Sequence, residues 1–489
     1  MKKKSIKVNA IWNTIRQCLS ILFPLITYPY VSRVLGASNL GRYSFSESVV
    51  QILITISIIG IPTYSIREGS RIRDNKDALV DFCSEVFTLN CISVLFSYTL
   101  LAILVIFVPR IRLESVSVMV LSINILSKCI GRDWLNSIFE EYLYISIRYI
   151  VVHAISLGAI FLLVKKPEDI LIYVTIMAFS QLGGNVLNVF YTNKKVPIKF
   201  KLSQKTTKHL KPILLLFCSS IATTIYIRSD ITILGFMRTN AEVGIYSMSS
   251  KIYTIVKSVL NALIMVSIPR LSYYLGNENG YFGRYSLLLN KIRNALVLLL
   301  FPAVTGLFCL SKDALYLLGG EEFVSGSISL QILCGALIFA VFGCFYAQGI
   351  LIANRLESVF FKATVISAII NIVLNFVFIP LIGINGAALT TLISEISIVI
   401  MCKKYSHNYY NDSIKKLIAN SYAAIIECFF IAVLSYGLKS IIGHNSFRIV
   451  LTIIISVVIY VLVLWLTKNE IFITTVNDFI IKLKRKKTS

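Results

Sequence analysis

Residues 447–466 read FRIVLTIIISVVIYVLVLWL, and Arg448 is the only charged residue in this run. About twenty apolar residues form an α-helix long enough to cross a bilayer, because the hydrocarbon core is about 30 Å thick and each helical residue rises about 1.5 Å. Similar apolar blocks follow one another along the chain, with short polar segments between them. The repetition of such blocks predicts an all-α polytopic membrane protein.

The composition supports the same fold class. Of the 489 residues, 56% are hydrophobic and 15% are charged, whereas about 25% charged residues is ordinary in soluble proteins. Fourteen spans are predicted, near residues 10–31, 42–66, 81–108, 115–133, 143–164, 168–191, 209–236, 243–268, 290–310, 327–350, 358–379, 385–402, 417–438 and 447–466. Such spans leave roughly 15 residues for each connection. These connections are too short for a large catalytic domain outside the membrane, so the chain is predicted not to be an enzyme.

The basic residues indicate orientation. A net charge of +24 would suggest a nucleic-acid partner in a soluble chain. Here lysine and arginine are about three times as frequent in alternate connections as in the others, which is the pattern of the positive-inside rule. We therefore predict no nucleic-acid partner, and we expect both termini to lie in the cytoplasm.

The cysteine and histidine pattern predicts neither a metal site nor a cofactor. No two of the ten cysteines have C-x-x-C spacing, and the four histidines lack H-x-E or H-E-x-x-H contexts. The sequence also lacks the G-x-x-x-x-G-K-[ST] phosphate loop, so we do not expect nucleotide hydrolysis by this chain.

An internal repeat predicts the arrangement of the helices. Residues 35–48 read LGASNLGRYSFSES and residues 236–250 read FMRTNAEVGIYSMSS, with the pattern G-x-Y-S shared at an offset of 203 residues. A repeat of six spans returns the chain to the same side, so the two copies should be related by an axis along the membrane normal. The predicted domains are a first six-helix lobe at 1–205, a second at 206–405, and a C-terminal helix pair with a basic tail at 406–489. A chance match of a common helix-entry pattern is the alternative.

Polar residues inside the spans predict a cavity. Spans one, two, seven and eight each carry one polar face, and these are the corresponding helices of the two repeats. The predicted polar lining comprises Asn13, Gln17, Glu47, Gln51, Asp230 and Asn261. Serine and threonine hydroxyls could instead only join helices together.

Hydrogen bonding between helices does not readily explain why lysine and arginine lie inside the spans. These side chains keep their charge and donate several hydrogen bonds, so they need a carboxylate or an anionic ligand. Arg16, Lys257 and Lys251 are expected at successive depths across the membrane and form a predicted ladder of positive charge. Glu395 and Glu427 lie about ten residues inside their spans. They are predicted either to carry coupling ions or to form structural pairs.

Several segments resemble the polysaccharide-export flippases of the O-antigen, capsule or Wzx type, which belong to the multidrug, oligosaccharidyl-lipid and polysaccharide exporter superfamily. These segments are VSRVLGASNLGRYSF (31–45), IRSDITILGFMRTNAEVGIYSMSSKIY (227–253), IPRLS (268–272) and QGILIANRLESVFFKATVISAIINIVLNFVFIPLIGINGAALTTLISE (348–395). The resemblance covers roughly residues 5–405.

The resemblance implies a bacterial cytoplasmic-membrane protein that moves an undecaprenyl-diphosphate-linked oligosaccharide to the outer leaflet by alternating access. Its partners would be that lipid, the bilayer, and the glycan polymerase and chain-length machinery. The cationic cavity of the family maps onto Arg16, Arg228, Lys251 and Lys257.

Two rival functions were compared with this one. A lipid II flippase or a multidrug or cation antiporter would share the superfamily fold, but drug cations favour acidic cavities, and the stripe on span eight is basic. A glycan polymerase or glycosyltransferase would be expected to present a large outer loop. The longest predicted outer connection, KDALYLLGGEEFVSG at 312–326, is short.

Overall fold

The computed structural model describes residues 6–201, 204–275, 282–410, 414–441, 446–469 and 472–474. These residues are almost entirely helical and contain no β-strand. Among them, 13 helical segments are long and apolar enough to cross a membrane. The first of these, Ile11–Arg71, holds the first two predicted spans, so the prediction of an all-α polytopic membrane protein is confirmed.

Met1–Ser247 form one compact unit and Met248–Ser489 form a second. The six-helix lobes expected from the repeat remain a prediction. The first unit contains α1 (Ile6–Ile58), α2 (Ile61–Arg71), α3 (Lys76–Phe107), α4 (Pro109–Leu113), α5 (Ser115–Gly131), α6 (Asp133–Ile138), α7 (Tyr142–Leu163), α8 (Ile170–Asn193), α9 (Leu210–Met237) and the first two turns of α10 (Asn240–Leu275).

The first two predicted spans are joined without a loop. Gly36 alone interrupts α1, with φ 76° and ψ 171°, a conformation open essentially to glycine because a Cβ atom would clash with the backbone. The residues from Ala37 onward are already helical. The expected ten-residue connection at 32–41 is therefore a kink at a single residue.

The second unit contains the rest of α10, α11 (Phe282–Cys309), α12 (Ser311–Gly319), α13 (Ser327–Cys344), α14 (Glu357–Ile382), α15 (Ile384–Ser406), α16 (Ile414–Ile441) and α17 (Ser446–Leu466). A π-helix, Phe345–Ile352, continues α13. Prolines lie inside α10, α11 and α14 at Pro269, Pro302 and Pro380, where each removes a backbone hydrogen bond and favours a bend.

Many serine and threonine hydroxyls in the helices donate a hydrogen bond to a carbonyl oxygen of their own helix. Thr254 donates to the carbonyl oxygen of Ser250 at 2.8 Å, and Ser258 donates to that of Thr254 at 2.8 Å. Such bonds to the preceding turn let serine and threonine sit in an apolar environment without another partner. A hydroxyl-bearing helix face therefore need not be a helix interface.

Candidate functional site

The two copies of the repeated sequence contact each other. The hydroxyl of Ser44 donates to the hydroxyl of Ser247 at 3.1 Å. A Cβ atom on Gly41 would lie 1.7 Å from the carbonyl oxygen of Asn240, and one on Gly244 would lie 1.9 Å from that of Ala37. Each contact is matched by its counterpart 203 residues away. We call this contact between α1 and α10 the glycine crossing.

Charged side chains form a network beside the glycine crossing. Arg110 donates to the carbonyl oxygen of Gly235 at 2.6 Å and to the side chain of Asn240 at 2.5 Å. Arg42 pairs with the buried Glu114 at 2.9 Å, and Asn240 also donates to Glu114 at 3.3 Å. Sequence reasoning missed this network, because arginines near span ends are typically placed as solvated loop charges. The glycine crossing is thus braced by ion pairing and hydrogen bonds.

The electrostatic surroundings of Arg16 differ from those of Arg42. Its side chain is half-buried on α1, and Nη2 donates to Oδ1 of Asn13 at 3.1 Å. Its Nε is buried without a hydrogen-bond partner, and no carboxylate lies within ion-pair distance in the described part of the chain. Gln17, next in the chain, is exposed. Arg16 therefore keeps donors available for an anion.

Arg228 is loosely paired. Its Nη1 lies 3.6 Å from Oε2 of Glu47, and the two side chains are 28% and 37% exposed. This separation exceeds an ordinary hydrogen bond, so the contact is an ion pair without strong directional bonding. Gln51, one turn along from Glu47, is half-buried. Arg228 and Glu47 thus lie together, and the cavity that both are expected to line remains a prediction.

Asp230 serves a structural contact in the first unit. Its carboxylate accepts a hydrogen bond from the hydroxyl of Tyr246 at 2.8 Å, and both side chains are buried. Tyr246 belongs to the repeated G-x-Y-S pattern, so this bond connects α9 to the glycine crossing. Other hydroxyl pairs, Thr55 with Thr224 at 3.0 Å and Thr232 with Ser48 at 2.9 Å, join α1 to α9. For these pairs the helix-joining interpretation is correct.

Lys257 and Glu395 form a close pair in the second unit. Lys257 Nζ donates to Oε1 of Glu395 at 2.6 Å, and the hydroxyl of Tyr253 donates to the same oxygen at 2.9 Å. The lysine side chain is 27% exposed, whereas that of the glutamate is 4% exposed. The sequence marked Lys257 as a substrate cation and Glu395 as a coupling acid, without linking them. The structure brings these two residues into one ion pair.

Further polar residues lie along α10. Thr254 and Ser258 are exposed, and Lys251 and Asn261 are half-buried. Asn261 Oδ1 is buried and has no hydrogen-bond partner among the described residues. The hydroxyls of Thr254 and Ser258 donate to carbonyl oxygens of their own helix.

Glu427 lies apart from these groups. Its side chain is 1% exposed, and neither carboxylate oxygen has a hydrogen-bond partner in the part of the chain that the structure describes. It lines an apolar cavity with Pro302, Ile449 and Tyr460. A structural pair for Glu427, which the sequence allowed, is not formed with the described residues. Nearby, Arg448 pairs with Asp313, a contact that sequence reasoning missed.

The family described as "Polysaccharide biosynthesis protein" matches residues 6–275, more than half of the chain. This chain belongs to that family. The match contains the kinked first helix, the glycine crossing and Lys257, so the family resemblance predicted from the sequence is confirmed.

Two curated relatives are named for glycan export. The "Putative O-antigen transporter" of Escherichia coli (strain K12) is 21% identical over 83% of this chain and 98% of its own length. The "Probable low-salt glycan biosynthesis flippase Agl15" of Haloferax volcanii is 25% identical over 59% of this chain and 60% of its own length.

Solved structures identify the fold. A structure of the lipid II flippase MurJ in an inward closed conformation has a TM-score of 0.72 and 17% identity, covering 92% of this chain and 97% of that one. An inward-facing multidrug resistance MATE transporter of the MOP superfamily has a TM-score of 0.54 and 13% identity, covering 84% and 96%. The chain therefore has the multi-pass membrane fold of that superfamily.

Proposed function

We propose that this member of the polysaccharide biosynthesis protein family is a flippase. Its substrate would be an undecaprenyl-diphosphate-linked oligosaccharide repeat unit, moved from the inner to the outer leaflet of a bacterial cytoplasmic membrane for O-antigen or capsule synthesis. Both termini would lie in the cytoplasm. The glycan polymerase and the chain-length machinery would take the product.

The observation that carries this proposal is that Arg16, unlike Arg228 and Lys257, has no carboxylate partner among the described residues. Glu47 lies beside Arg228, Glu395 beside Lys257, and Asp230 accepts from Tyr246. Arg16 has only an amide partner among the described residues. A guanidinium that no carboxylate neutralises, in a region of low dielectric, favours an anionic ligand such as a diphosphate. A drug-cation antiporter would instead need a carboxylate at this position.

The first step in this mechanism is capture by Arg16. A guanidinium group binds phosphate through two parallel N–H donors, and the buried Nε of Arg16 has no competing acceptor. The prenyl tail would stay in lipid while the charged headgroup leaves water. Replacing the water around the diphosphate with fixed donors removes the main barrier to its crossing.

The second step passes the headgroup to Lys257. Its ammonium group is held by Glu395, so it becomes available when the diphosphate displaces the carboxylate or when Glu395 takes up a proton from the aqueous phase. In the first case the attraction between Lys257 and Glu395 competes directly with the substrate, and in the second case loss of the proton from Glu395 restores that competition. This competition keeps binding weak enough for release and gives Glu395 a direct role in coupling.

Release requires the glycine crossing to open, because Gly41 and Gly244 leave no passage between α1 and α10 at that point. A disulfide can test this step. In a cysteine-free background, Ser44→Cys with Ser247→Cys places two thiols where the hydroxyls lie 3.1 Å apart. Oxidation should stop transport, and a reductant should restore it.

The assay is leaflet-resolved detection of the lipid-linked oligosaccharide in cells that depend on each variant at equal protein level. Ser44→Cys alone, treated with the same oxidant, is the matched control and should transport normally. If the oxidised double variant is cross-linked and still exports the oligosaccharide, alternating access through this crossing is wrong.

A further inference from the structure

Two cavities adjoin in the second unit, between α11, α16 and α17. One, of about 260 Å³, is lined by polar and charged residues including Ser311, Lys312, Asp313, Gln331, Lys439 and Arg448. The other, of about 360 Å³, is largely apolar. Consecutive residues line the two cavities: Leu310 faces the apolar one and Ser311 the charged one, and the same holds for Ile449 and Arg448. We call them the basic pocket and the apolar slot.

The basic pocket carries excess positive charge. Arg448 and Asp313 pair with each other, and both side chains are 2% exposed. Lys312 and Lys439 are exposed, and neither has a carboxylate within ion-pair distance among the described residues. Ser311 Oγ is buried and has no hydrogen-bond partner in the part of the chain that the structure describes. After the Arg448–Asp313 pair is balanced, two positive charges and an unused hydroxyl remain.

The positive charge of the basic pocket lies at the predicted outer end of the helices, where few basic residues are expected. The pocket is formed where α11 and α16 end and α12 and α17 begin, on the side that the charge bias predicts to be outside. Lysine and arginine are scarce in connections on that side, because the positive-inside rule selects against them there. Two lysines and a buried arginine converging on one pocket therefore indicate a bound anion.

The apolar slot indicates what the anion is attached to. Pro302, Gly306, Ile431 and Val457 contribute to its walls. A Cβ atom at Gly306 would have no neighbour within 4 Å, so the slot remains open beside α11. A free phosphate ion would use the basic pocket alone. A phospholipid would fill both cavities, because its phosphate and its acyl chain are directly connected.

We propose that the basic pocket and the apolar slot together bind one anionic phospholipid, with the phosphate between Lys312, Lys439 and Arg448 and an acyl chain in the slot. Basic pockets between transmembrane helices are suited to phosphate headgroups. Neither Arg16 nor Lys257 lines these cavities, so the proposal does not rest on the proposed transport function.

Native mass spectrometry of the purified full chain can count bound lipids. The probes are phosphatidylglycerol, zwitterionic phosphatidylcholine of the same chain length, and inorganic phosphate. We expect one phosphatidylglycerol molecule to bind about tenfold more tightly than phosphatidylcholine, because two lysine charges act on the headgroup. Millimolar inorganic phosphate should not displace it. Equal binding of the two lipids, or displacement by phosphate, would overturn the proposal.

Headgroup recognition is tested by Lys312→Gln with Lys439→Gln. Both side chains are exposed, so the variant should fold, and its affinity for phosphatidylglycerol should fall about tenfold. The matched control is Lys404→Gln with Lys468→Gln, which removes the same charge from exposed positions outside the pocket. Equal loss in both variants would mean that only general charge matters, and the site would be rejected.

Occupation of the slot is tested by Gly306→Leu. The new side chain has open space to enter, so it should fill the slot and weaken phosphatidylglycerol binding severalfold without lowering the melting temperature. Gly283→Leu, on the same helix and also facing open space, is the control. Unchanged lipid binding by Gly306→Leu would contradict an acyl chain in the slot.

Discussion

Arg16 in the first unit and Lys257 in the second are both basic residues inside membrane-crossing helices, but their surroundings differ. Arg16 is held by the neutral amide of Asn13 at 3.1 Å. Lys257 is held by the buried carboxylate of Glu395 at 2.6 Å, with Tyr253 on the same oxygen. The first residue offers a net positive charge to a ligand, whereas the second must first be separated from its partner. From the sequence alone, both residues are predicted as substrate-binding cations inside the membrane.

The largest effect is expected at Arg16. Arg16→Ala should abolish export, because it removes both the charge and the two-pronged donor of a guanidinium that has no carboxylate partner among the described residues. Arg16→Lys should retain part of the activity, since the charge survives but the fork does not. The measurement is the outer-leaflet amount of lipid-linked oligosaccharide in cells.

Lys128→Gln is the control for Arg16, because Lys128 is an exposed basic residue on α5. It should export normally. Full export by Arg16→Ala at equal protein level would show that Arg16 is not the capturing group.

The second prediction concerns the Lys257–Glu395 pair. Lys257→Gln leaves a buried carboxylate without its counter-charge, so the free energy of unfolding should fall by about 2–3 kcal/mol; this lies below the range for fully buried pairs because Lys257 is partly exposed. Adding Glu395→Gln should recover most of the loss. Thermal unfolding of the purified variants measures both effects.

Activity distinguishes pairing from a purely structural role. The double variant, although stable, should export poorly, because neither the lysine nor its exchangeable partner remains. If the double variant is as unstable as Lys257→Gln, the two residues are not energetically coupled.

A smaller effect is expected at Tyr253. Tyr253→Phe removes one hydrogen bond to a charged acceptor and should lower the free energy of unfolding by about 1.5 kcal/mol. Combined with Glu395→Gln, the same change should have much less effect, because the charged acceptor is gone. Additive losses would show that the hydroxyl stabilises something other than Glu395.

The smallest effect is expected for Glu47→Gln. The Arg228–Glu47 contact is 3.6 Å long and more than a quarter exposed on both sides, so its removal should change stability by less than about 1 kcal/mol. Export should persist or rise, because Arg228 becomes freer to bind an anion. If Glu47→Gln lowered the free energy of unfolding as much as Lys257→Gln, the Arg228–Glu47 and Lys257–Glu395 pairs would not differ in strength as predicted.

Part of this molecule follows from the sequence alone. Apolar blocks about twenty residues long require membrane-spanning helices, since only a hydrogen-bonded backbone is stable in hydrocarbon. The G-x-Y-S repeat is likewise visible in the sequence, but only the structure shows that its two copies meet, with Gly41 and Ser44 against Gly244 and Ser247. Small residues at matched positions permit this close helix approach.

Only the tertiary structure decided which charges are paired. Glu395 lies 138 residues from Lys257, and Asp313 lies 135 residues from Arg448. Depth within a span is set by sequence position, but the direction of a side chain and the identity of its neighbour depend on how distant helices rotate and pack. An ion pair acts over a few ångströms, so a small rotation of α15 would separate Glu395 from Lys257. The sequence therefore determined where charge enters the membrane, and the packing determined which charge remains available.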